Sequence, residues 1–173
     1  NKNVQVDLAV HSSVDAVLGG LLESKLAGSW KEWNEHTHTF SKRIPSLPKP
    51  SEGVLQPQEV IQLVHAKTEG RAVVATDVGQ HQIWTAHHYP FSRPRSFLTS
   101  GGLGTMGYGL PAAIGAAMAC PEQQVVCISG DGSIQMNVQE LITAVDYDLN
   151  LKIVILKNGY LGMVRQWKQL FPP

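Results

Sequence analysis

The run Val125-Val126-Cys127-Ile128-Ser129 is followed directly by Gly130-Asp131-Gly132, so that a short apolar stretch ends at an acid between two glycines. An apolar run of this length, bounded by turn residues, is typical of a buried strand. We therefore predict that Asp131 lies at the carboxyl end of a strand, where open α/β sheets bind their ligands. The two glycines allow a tight turn and the close approach of a bulky anion.

A second polar residue, Asn158, lies 27 residues after Asp131. Between them, residues 138–147 have the spacing of a helix and residues 151–156 form another apolar run, which predicts a crossover helix and a parallel strand. A carboxylate and a carboxamide oxygen should therefore meet at one edge of the sheet. With a backbone carbonyl just downstream, they supply about half of the octahedral shell of Mg²⁺, leaving the rest for phosphate oxygens and water. Gly-Asp-Gly alone indicates no more than a strand-to-helix turn, so the spacing to Asn158 is what favours a metal site.

The chain around this segment alternates between helical and strand patterns from Leu55 onward. This alternation predicts an α/β fold with a parallel sheet flanked by helices. The predicted elements are a helix beginning at Pro57, a strand over 72–76 that ends at Asp77-Val78-Gly79, a helix over 109–119, a strand over 125–129, and the helix and strand given above.

The first part of the chain has a different pattern. Residues 4–10 alternate like a strand and residues 14–22 have apolar side chains at helical spacing, with Ser12 or Ser13 as the expected N-cap. One strand and one helix cannot close a core, so we expect residues 1–35 to be the terminal remnant of a preceding α/β domain. Residues 36–53, which include Pro45, Pro48 and Pro50, have the composition of a semi-rigid linker. Residues 54–173 are then the ligand-binding domain, truncated at its carboxyl end.

Composition excludes several function classes. Of the 173 residues, 43% are hydrophobic and 16% are charged, a balance typical of a globular protein. Lys and Arg number 14, as do Asp and Glu, so no net charge attracts nucleic acid or a membrane and small molecules are the expected partners.

Cys120 and Cys127 lack metal or disulfide spacing, which predicts buried thiols in a reducing compartment. No apolar run reaches the roughly 20 residues of a membrane span, and we expect the start to lie within a longer chain.

The Gly-Asp-Gly turn with Asn158 in this spacing resembles the motif of thiamine-diphosphate-dependent enzymes. Three further segments resemble the large subunit of acetolactate synthase (acetohydroxyacid synthase): Val78-Gly79-Gln80-His81-Gln82-Ile83-Trp84, residues 99–112 and Leu161-Gly162-Met163-Val164-Arg165-Gln166-Trp167. The resemblance covers essentially the whole chain. It implies the pyrophosphate-binding domain of that family, with thiamine diphosphate and Mg²⁺ as cofactors.

The resemblance also implies roles for individual residues. Asp131, Asn158 and the backbone carbonyl of Tyr160 match the Mg²⁺ ligands. Gly79, Gln80 and His81 match the segment near the diphosphate, with Ser133 beside it. The other cofactor-binding positions implied are Val78, Gly104, Met106, Gly130, Gly132, Leu161, Gly162 and Met163.

Catalytic and channel residues follow from the same resemblance. Met106 matches the apolar residue that holds the cofactor in a bent conformation, and Gln80 is the second catalytic candidate. Met163 and Trp167 match a mobile segment that borders the substrate channel, where the family's herbicides bind. Without the surrounding motifs, Met106 would be interpreted as a core methionine and Trp167 as a surface anchor. One departure is Lys157, which stands where many family members have an Asn.

The activity that the resemblance implies is decarboxylation of pyruvate and transfer of its two-carbon unit to pyruvate or 2-oxobutyrate, the first step of branched-chain amino-acid biosynthesis. In this family, the glutamate that activates the cofactor comes from the amino-terminal domain of a partner subunit. None of the acids in this chain matches it, so we expect the chain alone to be inactive. Full-length subunits are expected to form a homodimer or tetramer, in the bacterial cytoplasm or the plastid stroma. FAD binding and the need for a regulatory small subunit stay open.

Three alternative interpretations fit the sequence less well. Gly102-x-Gly104-x-x-Gly107 fits the fingerprint of an NAD-linked oxidoreductase, but residues 93–100 before it do not form the buried strand that the fingerprint requires. A non-catalytic module is disfavoured by the intact metal motif. The pairs His36-x-His38 and His87-His88 lack a third ligand at useful spacing, so solvated or packing histidines are favoured over a zinc site.

Overall fold

The computed structural model describes residues 3–24, 28–41 and 53–171, except for the side chain of Ser41. The chain divides into two compact units, residues 1–48 and residues 49–173. In the described residues, no helix has the length and hydrophobicity that crossing a membrane requires.

The described part of the first unit contains two helices, α1 (Val14–Glu23) and α2 (Lys31–Ser41). Ser13 is the N-cap of α1 and its Oγ accepts a hydrogen bond from the N–H of Ala16 at 3.3 Å, which confirms the predicted cap. The strand predicted over residues 4–10 is wrong, because these residues are exposed bends and coil. An alternating sequence forms a strand only where a neighbouring strand accepts its backbone hydrogen bonds, and the described part of this unit offers none.

The linker predicted over residues 36–53 stays a prediction, and its first residues, 36–41, are the end of α2. Contacts between rings one helical turn apart favour the helix there. The ring centroids of Trp33 and His36 are 6.0 Å apart, and those of His36 and Phe40 are 4.8 Å apart. The proline-containing residues 42–52 lie outside the described residues. The assignment of residues 1–35 to a preceding domain stays a prediction.

The second unit is built on a sheet of four parallel strands in the order β2-β1-β3-β4. The strands are β1 (Val73–Thr76), β2 (Phe97–Thr99), β3 (Val125–Gly130) and β4 (Leu151–Leu156). This confirms the predicted parallel α/β fold, with the three predicted strands within one residue of their expected bounds. The prediction that no buried strand precedes the Gly102-to-Gly107 segment is confirmed, because β2, which lies there, is a half-buried edge strand of three residues.

The helices of this unit are α3 (Pro57–Lys67), α4 (Gln80–His88), α5 (Gly109–Ala119), a 3₁₀ helix (Ile134–Glu140), α6 (Leu141–Asp146) and α7 (Gly162–Leu170). Helix α5 has the predicted bounds. The single helix predicted over 138–147 is instead the end of the 3₁₀ helix followed by α6, and the 3₁₀ helix is itself kinked at Asn137, which has φ −135° and ψ 30°. Asn137 leaves helical geometry because its side chain donates to the carbonyl of Gly107 at 2.6 Å.

Hydrophobic side chains cover both faces of the sheet. On one face, Ala75 and Cys127 pack with Leu110, Ala113 and other apolar residues of α5. On the other face, Val74 and Ile128 pack with Ile61 of α3. Both central strands are fully buried, which is what continuous apolar runs in a parallel sheet predict.

Strand order places the carboxyl ends of β1 and β3 side by side, with Thr76 paired to Ile128. The chain leaves β1 toward β2 on one side and leaves β3 toward β4 on the other, so this is the topological switch point at which such sheets bind ligands. Helix α5 approaches the end of β1 closely, because a Cβ on Gly109 would lie 2.6 Å from the backbone nitrogen of Asp77. Glycine at position 109 permits this contact.

Candidate functional site

A cavity of about 350 Å³ opens at the carboxyl ends of β1, β3 and β4. It is lined by segments that follow each of these strands, by Met106 and by helix α7. The lining residues are Val78, Gly79, Gln80, His81, Trp84, Met106, Gly130, Asp131, Gly132, Ser133, Leu156, Asn158, Tyr160, Leu161, Gly162, Met163, Val164 and Trp167.

The structure brings together every predicted site residue except Gly104, which does not line this cavity. Gly104 lies in an exposed loop at φ +73°, where its backbone N–H donates to the carbonyl of Ser100 at 3.2 Å. Trp84, Leu156 and Val164 line the cavity but were not among the predicted site residues. Trp84 could have been inferred, because it lies one helical turn after Gln80 and His81 and so shares their face.

Asp131 and Asn158 are held at the cavity by the turn that follows β4. The carboxylate Oδ2 of Asp131 accepts a hydrogen bond from the N–H of Gly159 at 3.1 Å. The side-chain Oδ1 of Asn158 accepts one from the N–H of Tyr160 at 2.9 Å, which marks it as the oxygen of the carboxamide. Each oxygen has a second lone pair, so two hard oxygen atoms are oriented at the edge where the sequence predicts a cation.

The charge of the cavity supports a cation there. Asp131 is the one acid among the described residues that line it, and neither Lys nor Arg lines it. A diphosphate placed against Asp131 would be repelled unless a divalent cation lay between the two anions. A carboxylate with a neutral carboxamide oxygen is a donor set that Mg²⁺ accepts, and the phosphate supplies further oxygens. The residues present therefore fit a Mg²⁺–diphosphate pair.

His81 offers a second polar atom to this cavity. Its side chain is 5% exposed, and within the described residues its Nε2 has no hydrogen-bond partner. Burial lowers the pKa of His81, an effect opposed in part by Asp77 and Asp131. A neutral imidazole with an unsatisfied buried nitrogen is costly unless a ligand completes its hydrogen bonding, and a phosphate oxygen is suitable if Nε2 carries the proton.

Two glycines make room for the His81 ring. A Cβ on Gly79 would lie 2.7 Å from its Cε1, and a Cβ on Gly130 would lie 3.0 Å from the same atom. The first distance is shorter than a Cβ tolerates, and the second is tighter than ordinary van der Waals contact. The glycines of the two turns therefore allow the imidazole to lie between the ends of β1 and β3.

The turn after β3 is tied to the turn after β1. Ser133 Oγ donates to the carbonyl of Val78 at 3.0 Å, and Gln135 Nε2 donates to the carbonyl of Asp131 at 2.6 Å. The first bond joins the two turns and the second holds the backbone of Asp131, so both turns are connected without a ligand.

Gln80 connects the start of α4 to two more distant elements. Its Nε2 donates to Gln166 Oε1 of α7 at 3.1 Å, and its Oε1 accepts from Asn158 Nδ2 at 3.5 Å. A Cβ on Gly162 would collide with Gln80 Oε1 and would lie 2.9 Å from Asn158 Nδ2. The beginning of α7 is thus packed directly on the predicted metal-binding residue.

The predicted channel residues lie on α7. Met163 is half-buried, whereas Trp167 is 60% exposed and stacks on Phe171 at 5.0 Å between ring centroids. Both line the cavity, so this helix presents an apolar wall to it. The predicted mobility of this segment stays a prediction.

The geometry does not favour the dinucleotide-binding site or the histidine metal site that the sequence also offered. Residues 102–107 follow a three-residue half-buried edge strand, and the next helix begins only at Gly109, so the glycine segment does not open a helix as a dinucleotide fingerprint does. In the described parts of the chain, no group of three His, Cys, Asp or Glu residues could hold a metal ion. His87 and His88, whose ring centroids are 6.3 Å apart, lie at the end of α4 and do not line the cavity.

Comparison with known proteins agrees with this geometry. Residues 77–172 match the family described as thiamine pyrophosphate enzyme, C-terminal TPP binding domain. The chain is 46% identical to the acetolactate synthase large subunit of Haemophilus influenzae, over 98% of this chain and 31% of that protein. It is 43% identical to acetolactate synthase 2, chloroplastic, of Nicotiana tabacum, over 98% of this chain and 26% of that protein. The chain thus spans about a third or less of these curated relatives.

A solved structure extends the likeness to three dimensions. The thiamine diphosphate-dependent 4-hydroxybenzoylformate decarboxylase of Rhodococcus jostii RHA1 superposes with a TM-score of 0.63 at 30% identity, covering 73% of this chain and 25% of that one. The matched family region begins at Asp77, at the end of β1, and contains the turn after β3 and helix α7. This chain therefore belongs to the thiamine pyrophosphate enzyme family and carries its C-terminal TPP-binding domain.

Proposed function

We propose that this chain is the thiamine-diphosphate- and Mg²⁺-binding part of an acetolactate synthase. The observation that carries the proposal is the joint placement of Asp131 and Asn158 at one cavity, with the Gly159 N–H bonded to Asp131 at 3.1 Å. The identity of 46% to an acetolactate synthase large subunit over 98% of this chain supports this branch of the family.

Asp131, Asn158 and the carbonyl of Tyr160 would hold Mg²⁺, while Gly79, His81 and Ser133 would lie near the diphosphate. When bound, thiamine diphosphate supplies the nucleophilic carbon and the electron sink for the carbon chemistry. The protein residues have simpler tasks. Asp131 contributes the negative charge that retains the cation, and His81 can donate or accept a hydrogen bond at Nε2.

The cavity walls would orient the ligand and exclude water. Met106 lines the cavity as a half-buried apolar side chain and would contact the cofactor and help hold it in place. Gln80 would position Asn158 and the start of α7 through its carboxamide. Met163 and Trp167 would form the apolar border of the substrate channel, in a segment that we expect to move and to bind the family's herbicides.

The wider enzyme is part of the same proposal. Its substrates would be pyruvate, as the donor, and pyruvate or 2-oxobutyrate as the acceptor, giving 2-acetolactate or 2-aceto-2-hydroxybutyrate. Full-length subunits would form a homodimer or tetramer in which a partner supplies the activating glutamate. The complete assembly would reside in the bacterial cytoplasm or the plastid stroma.

Calorimetric titration tests the cofactor site directly. Thiamine diphosphate should bind the 173-residue chain in the presence of Mg²⁺, and its affinity should fall by at least about tenfold in a chelator, because the diphosphate then faces Asp131 without a cation. NAD is the control ligand and should not bind. Equal affinity for thiamine diphosphate with Mg²⁺ and with chelator would contradict the assignment.

Product formation tests the reaction. The chain alone should form no measurable acetolactate from pyruvate, because a missing general acid–base group typically costs about 10²- to 10⁴-fold in rate. A full-length subunit containing these residues should form it, and the Asp131→Ala variant of that subunit should not. Efficient turnover by the isolated chain would show that one of its own acids activates the cofactor.

A further inference from the structure

Asp77 is a buried carboxylate that does not line the cavity described above. It follows β1 directly and is fully buried, with 0% of its surface exposed. Neither ion pair found among the described residues involves it. A buried carboxylate is costly unless several hydrogen bonds compensate for its lost hydration, so its partners indicate what it does.

Its two oxygens bind two different segments. Oδ1 accepts a hydrogen bond from the backbone N–H of Gly107 at 2.6 Å. Oδ2 accepts one from the hydroxyl of Ser129 at 2.9 Å, and Ser129 is itself fully buried next to the turn that carries Asp131. One carboxylate thus joins the end of β3 to the segment that precedes α5.

Gly107 is held from its other side as well. Its carbonyl accepts a hydrogen bond from Asn137 Nδ2 at 2.6 Å, and its φ of +89° is a conformation that favours glycine. A Cβ at this position would lie 2.8 Å from Asn137 Nδ2, so the fit is tight. Both polar groups of one residue are therefore fixed by side chains from two other elements. We call Asp77, Gly107 and Asn137 the Gly107 clamp.

The residue beside the clamp is Met106, which lines the cavity. A side chain whose following residue is held at both its N–H and its carbonyl has little freedom to shift its backbone. We propose that Asp77 and Asn137 are positioning residues that set the place of Met106 in the cofactor cavity by fixing Gly107. This inference rests on the proposed function for the role of Met106, but the clamp itself does not require a bound cofactor.

Methyl NMR of the 173-residue chain without cofactor tests the clamp. The chain has four methionines, and the Met106 signal can be identified by its absence in Met106→Leu. Asp77→Ala and Asn137→Ala should each move the Met106 methyl resonance and leave that of Met118, a half-exposed residue of α5, in place. Asp77→Asn should restore the wild-type position, because a carboxamide still accepts from Gly107 and can donate to Ser129. Asp146→Asn, an exposed acid of α6, is the matched control and should move nothing.

A second readout measures the consequence for binding. The affinity for thiamine diphosphate with Mg²⁺ should fall about tenfold in Asp77→Ala and in Asn137→Ala, and less than about threefold in Asp77→Asn. If wild-type chain fails to bind thiamine diphosphate while the free-chain methyl shifts are as expected, the proposed function is wrong and the clamp stands.

Two results would overturn the clamp. One is an unchanged Met106 methyl in Asn137→Ala, a variant of a half-buried residue that also decides the matter if Asp77→Ala does not fold. The other is an Asp77→Asn chain in which Met106 is displaced as far as in Asp77→Ala, which would assign the effect to charge. A merely structural role for Asp77 would lower thermal stability without moving this one methyl group.

Discussion

The carboxylate of Asp131 and the backbone N–H of Gly159 are 3.1 Å apart, although the two residues belong to turns after different strands. This bond orients the acid toward the residues that follow β4, and it does so without a cation. The orienting role of Asp131 and its negative charge can therefore be separated by substitution.

Asp131→Asn should leave the fold intact and weaken cofactor binding. The carboxamide oxygen can still accept from Gly159, so the free energy of unfolding should change by less than about 0.5 kcal/mol. The negative charge that retains the cation is lost, so the affinity for thiamine diphosphate with Mg²⁺ should fall by at least about tenfold. Urea unfolding and calorimetry measure the two quantities. Unchanged affinity would place the cation elsewhere.

Two alanine substitutions in α5 should have opposite effects. Gly109→Ala would place a Cβ 2.6 Å from the Asp77 nitrogen and 2.9 Å from the Thr76 carbonyl carbon, so it should destabilise the chain by about 1–3 kcal/mol. Gly115→Ala meets nothing within 4 Å and should stabilise by up to about 1 kcal/mol, because alanine favours a helix interior. Denaturant unfolding compares them. Equal effects would mean that α5 does not approach β1 as closely as described.

The two cysteines should differ in reactivity. Burial, with a contribution from the charge of Asp77, raises the pKa of Cys127 to about 12. At pH 8 about one Cys127 in ten thousand is then a thiolate, whereas Cys120 is partly exposed. Iodoacetamide should label Cys120 in the folded chain and label Cys127 only after unfolding. Peptide mass spectrometry reads the sites, and the Cys120→Ser chain should remain unlabelled until denaturant is added.

Acid should destabilise the chain through His81. Burial lowers the pKa of this residue below its ordinary value of 6.5, so between the folded pKa and 6.5 the unfolded state binds more protons. Stability therefore falls as pH falls through that window and is unaffected by this residue above it. Urea unfolding in chelator at pH 7.5 and 5.5 should show the loss.

His81→Gln is the variant that isolates this effect, and it should lose less stability on acidification than the wild-type chain. His88, whose pKa is also lowered by burial, contributes equally to both chains. Substitution of the exposed His11 by Gln should leave the wild-type difference unchanged. An acid response that is the same in His81→Gln as in wild type would contradict the buried neutral imidazole.

Elements with strong periodicity could be predicted from the sequence, and elements without it could not. Strand β4 and helix α5 have the predicted bounds because their apolar residues extend over six and eleven positions. Strand β2 has only three residues, and α4 is rich in Gln and His, with two buried residues. Such elements are formed by their packing partners, which local sequence does not identify.

In the candidate site too, some residues could be predicted from the sequence and others could not. Asp131 and Asn158 could be predicted to meet because parallel strands end at one edge of a sheet, and the turn residues between them follow from spacing. The contact of Gln80 with Gln166 spans 86 positions and depends on side-chain direction, which spacing does not give. The motif predicts Gly104 in the site, whereas this residue, with φ +73°, lies in an exposed loop and does not line the cavity.

The site is formed by residues that are far apart in the sequence, such as Gln80 and Gln166, and this determines when the folding chain gains its binding activity. Site residues extend from the end of β1 to α7, which follows the last strand, so a chain in which β4 has not yet joined the sheet has Asp131 in place but lacks Asn158. Closing such distant pairs is slow relative to forming local helices. Affinity for the cofactor should therefore appear only at the end of folding, and a nascent chain halted before residue 158 should bind no cofactor. Excess cofactor would then shift the folding equilibrium toward the complete fold by mass action. At a free cofactor concentration of a hundred times its dissociation constant, the stabilisation is about 2.7 kcal/mol.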